Sequence, residues 1–196
     1  MRIISGRLKG LRLALPAKAK IRPTAERVRE ALFSALGSAV YGVDALDLFA
    51  GSGSLGLEAL SRGAGSVTMV EKDLRLARNL AGFCAGLKMF DNVKVLNMDA
   101  GKSLDYLSSR NMKFGLIFLD PPYDSDWISI LLSDVSFLGL LSPGGLIVVE
   151  RTFLSKDIQD FEDQGLETVF SRKYGATMLE IFTSVNSELS LNLGSY

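Results

Sequence analysis

The stretch that decides the fold is Asp47-Leu48-Phe49-Ala50-Gly51-Ser52-Gly53-Ser54-Leu55-Gly56, which follows a short apolar run and opens a helical pattern. Glycines let the backbone turn sharply and approach a ligand closely, and a helix that begins in such a turn offers it free N–H groups. Gly51, Gly53 and Gly56 match the Gly-x-Gly-x-x-Gly fingerprint of dinucleotide sites. The stretch therefore predicts a nucleotide-type cofactor at a strand-to-helix turn, without saying which cofactor.

From residue 43 onward, short apolar runs alternate with amphipathic segments. The predicted strands are 43–49, 66–70, 93–98, 114–119 and 146–149, and the predicted helices between them are 54–62, 73–86, 101–110 and 126–138. Continuous apolar strands that alternate with helices indicate a parallel sheet covered on both faces.

The last third of the chain predicts a helix near 155–163 and two further strands, 166–172 and 176–183. The short connection Lys173-Tyr174-Gly175 indicates that these two strands are antiparallel. We therefore expect an α/β, Rossmann-like fold with a mostly parallel seven-stranded sheet and an antiparallel final strand.

The N-terminal part has a different pattern. Residues 2–15 predict a β-hairpin around the turn Gly6–Gly10, and 16–21 form a basic linker. Thr24 is a suitable cap for a helix that runs to about Leu36, where Gly37 ends it. We expect an appendage over 1–21, a main domain over 22–184 and a flexible tail over 185–196.

The net charge of zero hides an uneven distribution. Residues 1–30 carry nine basic and two acidic side chains, while the remainder has 13 basic and 20 acidic ones. A basic arm on an acidic body is typical of proteins that bind a polyanion, although a solvated basic terminus has the same composition. The candidate substrate contacts in this part of the chain are Arg2, Arg7, Lys9, Arg12, Arg22 and Thr24.

Composition excludes several classes of protein. The single cysteine, Cys84, excludes an internal disulfide, and without histidine there is no His base and no His-ligated zinc, so no metal site is expected. Cys84 lies inside a predicted helix and is interpreted as a core residue, not as a nucleophile for carbon methylation. No apolar run approaches the roughly 20 residues that span a bilayer. With no signal-peptide pattern, we expect a cytoplasmic enzyme, acting as a monomer away from membranes.

Three acidic residues stand at the ends of three successive predicted strands: Asp47, Glu71 and Asp99. Ligands of open α/β sheets bind beyond these strand ends. Asp47 suits a cationic amino-acid group, Glu71 suits ribose hydroxyls and Asp99 suits an adenine amine, although Glu71 and Asp99 are also suitable helix caps. This set favours S-adenosylmethionine over a nicotinamide cofactor, whose pyrophosphate needs no acid before the glycines. The candidate cofactor-binding residues are Asp47, Gly51, Ser52, Gly53, Glu71, Asp99 and Ala100.

The fourth predicted strand ends in Asp120-Pro121-Pro122-Tyr123, the candidate catalytic residues. Two prolines make a rigid turn and remove two N–H donors, which leaves the Asp120 carboxylate and the Pro121 carbonyl as acceptors. Acceptors that hold both N–H bonds of an aromatic amine turn its lone pair out of the ring plane, and the carboxylate stabilises the positive charge that forms on methylation. Tyr123 is placed to stack on a base. The turn predicts methylation of an exocyclic nucleobase amine.

Together, these motifs resemble those of the RsmD family, bacterial 16S ribosomal RNA guanine-N2 methyltransferases, along nearly the whole chain. The matching stretches are 1–10, 22–33, 47–56, 57–64, 70–73, 118–123 and 173–175. The resemblance implies a class I methyltransferase fold, S-adenosylmethionine as donor, and as substrate a guanine of 16S rRNA, free or in the assembling small ribosomal subunit.

Carried over by position, the resemblance places Gly51 and Gly53 at the amino-acid portion of the donor, Glu71 at its ribose and Asp99 at its adenine. It places the target amine at 120–123 and closes the segment Arg22-Pro23-Thr24 over the donor site. For that segment an alternative stays open: Thr24 is only a helix cap and Arg22 only a phosphate contact.

Three other functions are compatible with parts of the chain. Adenine N6 methylation of DNA or RNA would use the same turn, and only the resemblance of residues 1–33 favours guanine. A nicotinamide-dependent oxidoreductase fits the glycines but not Asp47, and the chain has no His or Ser-x-x-x-Tyr-Lys proton relay. A non-enzymatic RNA-binding module would have no need to retain Asp120.

Overall fold

The computed structural model describes residues 1–13, 26–87, 90–122, 125–152 and 164–185. Six helices are described: α1 Glu26–Leu36, α2 Ser54–Ser61, α3 Leu74–Gly86, α4 Ala100–Ser108, α5 Trp127–Leu132 and α6 Val135–Leu138. The seven strands are β1 Asp44–Asp47, β2 Ser66–Val70, β3 Val93–Leu96, β4 Phe114–Leu119, β5 Leu141–Thr152, β6 Leu166–Tyr174 and β7 Thr177–Ser184.

All seven strands form one sheet, in the order β3-β2-β1-β4-β5-β7-β6. The first five strands pair in parallel, and β7 is antiparallel to both β5 and β6. The predicted mostly parallel sheet with an antiparallel final strand is confirmed. The strand order reverses between β1 and β4, and ligands of such sheets bind at this switch point.

The two faces of the sheet carry separate apolar layers. On one face, α1, α2 and α3 pack through residues such as Leu32, Leu57 and Leu80. On the other face, α4, α5 and α6 pack through Leu104, Leu131, Phe137 and their neighbours. Both layers extend to the carboxyl edge of the sheet, where Ala50 belongs to the first and Ala100 to the second.

Over residues 1–13, the N-terminal segment turns back on itself like the predicted hairpin, with an antiparallel bridge between Arg2 and Arg12. The N–H of Ile3 donates to the carbonyl of Leu11 and the N–H of Leu13 donates to the carbonyl of Met1, both at 3.0 Å. Ile3, Leu8 and Leu13 are buried in the same core layer as α1 and α2. Residues 1–13 therefore pack against the main core.

The structure corrects several predicted boundaries. The predicted helix 126–138 is divided in two, because the Asp134 carboxylate accepts hydrogen bonds from the backbone N–H groups of Ser136 and Phe137 at 2.7 and 3.3 Å and so starts α6. Strand β5 is much longer than predicted. α1 ends at Leu36 as expected, but Gly37 starts one turn of 3₁₀ helix.

The last hairpin also differs in detail. Lys173 and Tyr174 belong to β6, and the turn consists of Gly175 and Ala176, with Gly175 at φ +62°. The predicted helix 155–163, linker 16–21 and cap Thr24 lie outside the described residues, as does the tail from residue 186 onward. Within the described ranges, no helix is long and apolar enough to cross a bilayer.

Candidate active site

The glycine loop after β1 requires glycine for both conformation and space. Gly51 and Gly53 have φ values of +52° and +73°, a region that side chains with a Cβ rarely adopt. A Cβ on Gly53 would also lie 2.5 Å from the Leu80 side chain of α3. The loop is anchored by the N–H of Ala50, which donates to the carbonyl of Val70 at 2.9 Å. Its backbone is therefore held in one shape at the carboxyl edge.

Asp47 lies beneath this loop and is only 2% exposed. Its Oδ2 accepts a hydrogen bond from the N–H of Gly56 at 2.9 Å, while Oδ1 has no hydrogen-bond partner within the part of the chain that the structure describes. Burial raises the pKa of Asp47 to about 7; the backbone N–H groups of Gly56 and Phe49 oppose this rise, and the charge of Glu71 adds to it. Asp47 is thus a buried carboxylate directly beneath the glycine loop.

Glu71 connects the ends of β1 and β2. Its Oε2 accepts from the N–H of Gly51 at 2.8 Å, and its Oε1 accepts from the N–H of Asp73 at 2.7 Å. The cap of α3 is Asp73, which accepts from the N–H groups of Arg75 and Leu76. Glu71 is half-buried beside the glycine loop, as expected for a ligand-facing acid.

Asp99 follows β3 and lies at the start of α4. Its carboxylate accepts from the N–H of Gly101 at 3.0 Å, so Asp99 does cap the helix. The residue is nevertheless exposed, while the adjacent Ala100 is buried. The hydrogen bond that caps α4 uses one oxygen of the Asp99 carboxylate, and the exposed residue lies at the carboxyl edge of the sheet.

Two aromatic residues at this edge were not predicted from the sequence. The rings of Phe49 and Trp127 lie 5.8 Å apart at an interplanar angle of 58°. Trp127 also reaches the start of α4, because a Cβ on Gly101 would lie 3.6 Å from its ring. The pair forms an apolar wall beside Asp99. In the sequence, the feature that could have indicated this pair was the single tryptophan shortly after the Asp-Pro-Pro turn.

The turn Asp120-Pro121-Pro122, the predicted catalytic segment, leaves β4 next to the glycine loop. Asp47 and Phe118 are register partners in β1 and β4, and the N–H of Leu48 donates to the carbonyl of Phe118 at 3.2 Å. Asp120 is therefore two residues beyond the partner of Asp47. Pro121 is buried and Pro122 is exposed, and the hydroxyl of Ser125 donates to the Pro122 carbonyl at 2.6 Å. Tyr123 lies outside the described residues.

A buried charge cluster, also missed from the sequence, attaches the N-terminal turn to α2. Glu58 is fully buried, and its two oxygens accept from the N–H groups of Ile4 and Ser5 at 2.8 and 3.0 Å. Its cationic neighbours are Arg62 at 2.8 Å and Arg29 at 3.6 Å. The turn is thus fixed to the helix that begins at the glycine loop.

The predicted substrate contacts are distributed along this N-terminal turn. Arg2, Arg7, Lys9 and Arg12 are all exposed. The N–H of Arg7 donates to the carbonyl of Ser61 at 2.8 Å, so its backbone is fixed while its side chain faces solvent. Arg22 and Thr24 lie outside the described residues. The structure therefore presents four cations on a rigid support.

Comparison with known proteins identifies the group to which these motifs belong. A family model described as Conserved hypothetical protein 95 matches residues 1–183. The chain belongs to this family. Ribosomal RNA small subunit methyltransferase D of Escherichia coli K12 is 37% identical over 150 residues, which cover 76% of this chain and 74% of that protein. YlbH of Bacillus subtilis is 35% identical over 184 residues, 93% of this chain and 98% of that protein.

A solved structure shares the architecture of this chain. The solved structure of yhhF from Escherichia coli has a TM-score of 0.75 and 29% identity, and the match covers 94% of this chain and 97% of the other. The predicted resemblance to the RsmD family and the class I methyltransferase fold are both confirmed. The roles of the individual site residues stay predictions.

Proposed function

We propose that this protein transfers a methyl group from S-adenosylmethionine to the exocyclic N2 amine of a guanine in 16S rRNA. The observation that carries this proposal is the adjacency of the glycine loop and the Asp120-Pro121-Pro122 turn, which leave neighbouring parallel strands at the same edge. A donor held by the first and an amine held by the second would meet at the switch point of the sheet. The relative named Ribosomal RNA small subunit methyltransferase D supports rRNA as the substrate class.

The residues at this edge fit S-adenosylmethionine. The glycine loop lies so close to Leu80 of α3 that a Cβ at residue 53 would not fit, and the Oδ1 of Asp47, which has no hydrogen-bond partner among the described residues, suits a site for a cationic ligand. Glu71 retains lone pairs for ribose hydroxyls, and Asp99 with Ala100 borders the adenine position. When bound, S-adenosylmethionine supplies a methyl group on a positively charged sulfonium.

The aromatic wall completes the proposed donor site. Phe49 and Trp127 lie beside Asp99, where adenine would be held, and their apolar surface suits a planar base. The donor would thus lie along three successive strand ends, from the glycine loop to the start of α4. This arrangement leaves the carboxyl end of β4, where the Asp120 turn begins, for the base that receives the methyl group.

The chain's own contribution to the reaction lies mainly in positioning. Asp120 and the Pro121 carbonyl accept the two N–H bonds of the amine, which directs its lone pair away from the base ring. As the carbon–nitrogen bond forms and the carbon–sulfur bond breaks, the nitrogen becomes positive. The Asp120 carboxylate stabilises that charge more than it stabilises the neutral amine, and one proton then leaves the nitrogen for solvent. Tyr123 stacks on the base and fixes its plane.

The N-terminal turn, residues 1–13, binds the RNA. Its four exposed cations neutralise phosphates, which contributes affinity without reading sequence. From Ser54, next to the glycine loop, to Ser61, where the turn is attached, α2 rises roughly 10 Å at 1.5 Å per residue. The cations near Ser61 therefore contact a part of the RNA that is separate from the target base. A folded rRNA element can present the target base and this second contact region at the same time.

The substrate is tested by label transfer. Donor carrying a tritiated methyl group is incubated with small-subunit particles, naked 16S rRNA, transfer RNA and DNA, and the labelled nucleoside is identified after digestion. We expect N2-methylguanosine from the small-subunit particle, the naked 16S rRNA or both. Label recovered as N6-methyladenine, or only from DNA, would overturn the proposed substrate while leaving methyl transfer intact.

A further inference from the structure

A second carboxylate, Glu150, lies beside the catalytic turn. β4 and β5 are parallel neighbours with Leu119 opposite Val149, so the next positions along the edge are Asp120 and Glu150. Glu150 is still within β5, where it is opposite Leu179 of β7. The two acids therefore occupy adjacent positions at the carboxyl edge, one strand apart.

The direction of the Glu150 side chain follows from the alternation of β5. Side chains two apart along a strand face the same side, and Leu146 and Val148 both belong to the layer under α1 and α2. Glu150 continues that row, and its partner Leu179 lies in the same layer. Phe118 of β4 also faces this layer, so the same alternation brings Asp120 to the side of Glu150.

Glu150 is only 4% exposed, and its environment supplies a counter-charge. The guanidinium of Arg29, 1% exposed on α1, interacts electrostatically with both Glu150 and Glu58. Arg29 is itself held in place, because it donates to the carbonyl of Arg2 at 2.6 Å. A nearby buried cation stabilises a carboxylate as a hydrogen-bond acceptor, and Arg29 supplies that cation to Glu150 at the carboxyl edge of the sheet.

A charged acceptor at this position distinguishes guanine from adenine. Next to its N2 amine, guanine carries an N1–H donor on the same edge. Next to its N6 amine, adenine carries an N1 lone pair. If Asp120 accepts from the amine, a carboxylate one strand away faces N1, where it binds a donor and repels a lone pair.

We propose that Glu150 is a specificity-determining residue that accepts the N1–H of the target guanine beside Asp120. This inference rests on the proposed guanine-N2 methylation and adds the group that selects guanine. Arg29 is the positioning residue that keeps Glu150 charged and oriented. Through Arg29, the base pocket is also linked to the cluster that holds the N-terminal turn.

The probe for this role is 2-aminopurine, which has the 2-amine but carries a lone pair at N1. Methyl transfer is measured on the labelled RNA region with either guanosine or 2-aminopurine at the target position. The wild-type protein should prefer guanosine by about 100-fold in kcat/KM, because a site built for a buried hydrogen bond rejects the analogue that lacks it. Equal transfer to both by the wild type would overturn the proposal without any variant.

Three variants separate recognition from folding. Glu150→Gln can donate to the N1 lone pair, so the guanosine preference should fall to within a few-fold. Glu150→Asp keeps a carboxylate acceptor and should therefore retain part of the guanosine preference. The matched control is Glu180→Gln, which changes an equally buried carboxylate in β7 that pairs with Arg151 and faces the opposite side. This control should keep the wild-type preference.

The outcomes are distinguishable. A folded Glu150→Gln protein that binds donor normally and keeps the full preference would show that Glu150 serves only as the partner of Arg29, and the proposal would be wrong. Label on adenine in the wild-type experiment would contradict the proposed guanine-N2 methylation, and with it the proposed role of Glu150. Loss of preference in both Glu150→Gln and Glu180→Gln would also contradict a specific role for Glu150.

Discussion

The Glu71 carboxylate at the end of β2 accepts a hydrogen bond from the backbone N–H of Gly51 at 2.8 Å. Its other oxygen accepts from the N–H of Asp73 at 2.7 Å, so one side chain fixes both the glycine loop and the start of the segment that leads to α3. The acid that we propose as the ribose ligand therefore also shapes the glycine loop. We predict that loop shape and donor binding depend on the same residue.

Replacing Glu71 by Ala should weaken donor binding by at least about tenfold, because both the loop support and the ribose acceptor are lost. Trp127 is the only tryptophan and lies beside Asp99, so its emission during titration with S-adenosylmethionine reports the affinity. The control is Asp73→Ala, which removes the cap of α3. It should cost about 1 kcal/mol of stability and change the affinity only a few-fold. Equal affinity losses in both variants would assign the effect to α3.

Replacing Gly53 by Ala should prevent donor binding and lower the free energy of unfolding by about 1–3 kcal/mol. The new Cβ would be in a left-handed conformation and would lie 2.5 Å from Leu80. Gly82→Ala in α3 is the control, since open space surrounds Gly82 and alanine is the better helix former. It should leave binding unchanged and stability equal or higher. Urea unfolding and calorimetric titration measure the two effects, and normal binding by Gly53→Ala would contradict a donor site at the glycine loop.

Asp47 should make stability depend on pH in an unusual window. Its pKa is about 7 in the folded protein against an ordinary value of 3.8, so the folded state binds more protons between these values and stability falls as pH rises. The slope from this group is at most about 1.4 kcal/mol per pH unit. No histidine is present to titrate there. Asp47→Asn should flatten the decline between pH 5.5 and 7, and it should make the protein more stable than the wild type at pH 8.

The control for this pH effect is Asp44→Asn, three residues earlier in the same strand but exposed. It should leave the pH profile unchanged. Urea unfolding across the pH series gives both curves. An Asp47→Asn profile that parallels the wild type would mean that Asp47 is ionised throughout.

Replacing Glu58 by Ala should cost about 3–5 kcal/mol, because it breaks the buried ion pair with Arg29 and leaves two backbone N–H groups of the N-terminal turn without their acceptor. Asp44→Ala, which removes an exposed hydrogen bond to Ser66, should change stability by less than about 1 kcal/mol. Urea unfolding compares the two. A cost for Glu58→Ala as small as that of Asp44→Ala would mean that the charge cluster is not structural.

The parts of this fold that depend on neighbouring residues were predictable from the sequence. Apolar runs located β2 and β4 with the correct ends, and the glycines, Glu71 and Asp120 were placed at strand ends because such motifs are local. The division of the helix at Asp134 was missed, since a cap in mid-pattern competes with a periodicity that continues through it. The length of β5 was missed because its first residues, Ser-Pro-Gly-Gly, have low strand propensity.

The buried cluster could not be predicted, because its members are distant in the sequence. Glu58 is on a helix of which every residue is buried, since the N-terminal turn covers the face that a pattern assigns to solvent. Arg29 of α1 and Glu150 of β5 interact only in the folded chain. Trp127 reaches Gly101 in the same way, through the packing of α5 against α4. Such contacts depend on tertiary structure alone.

The central claim is that Asp120 holds the amine that receives the methyl group. Tritium transfer from labelled S-adenosylmethionine to the small-subunit substrate, measured for the wild type and Asp120→Ala, tests it most directly. Donor affinity is followed in parallel through Trp127. We predict that Asp120→Ala loses at least about 1000-fold of the transfer rate, on the scale of removing a group that stabilises transition-state charge, while donor affinity stays within a few-fold. Transfer by Asp120→Ala at a rate near that of the wild type would contradict the account.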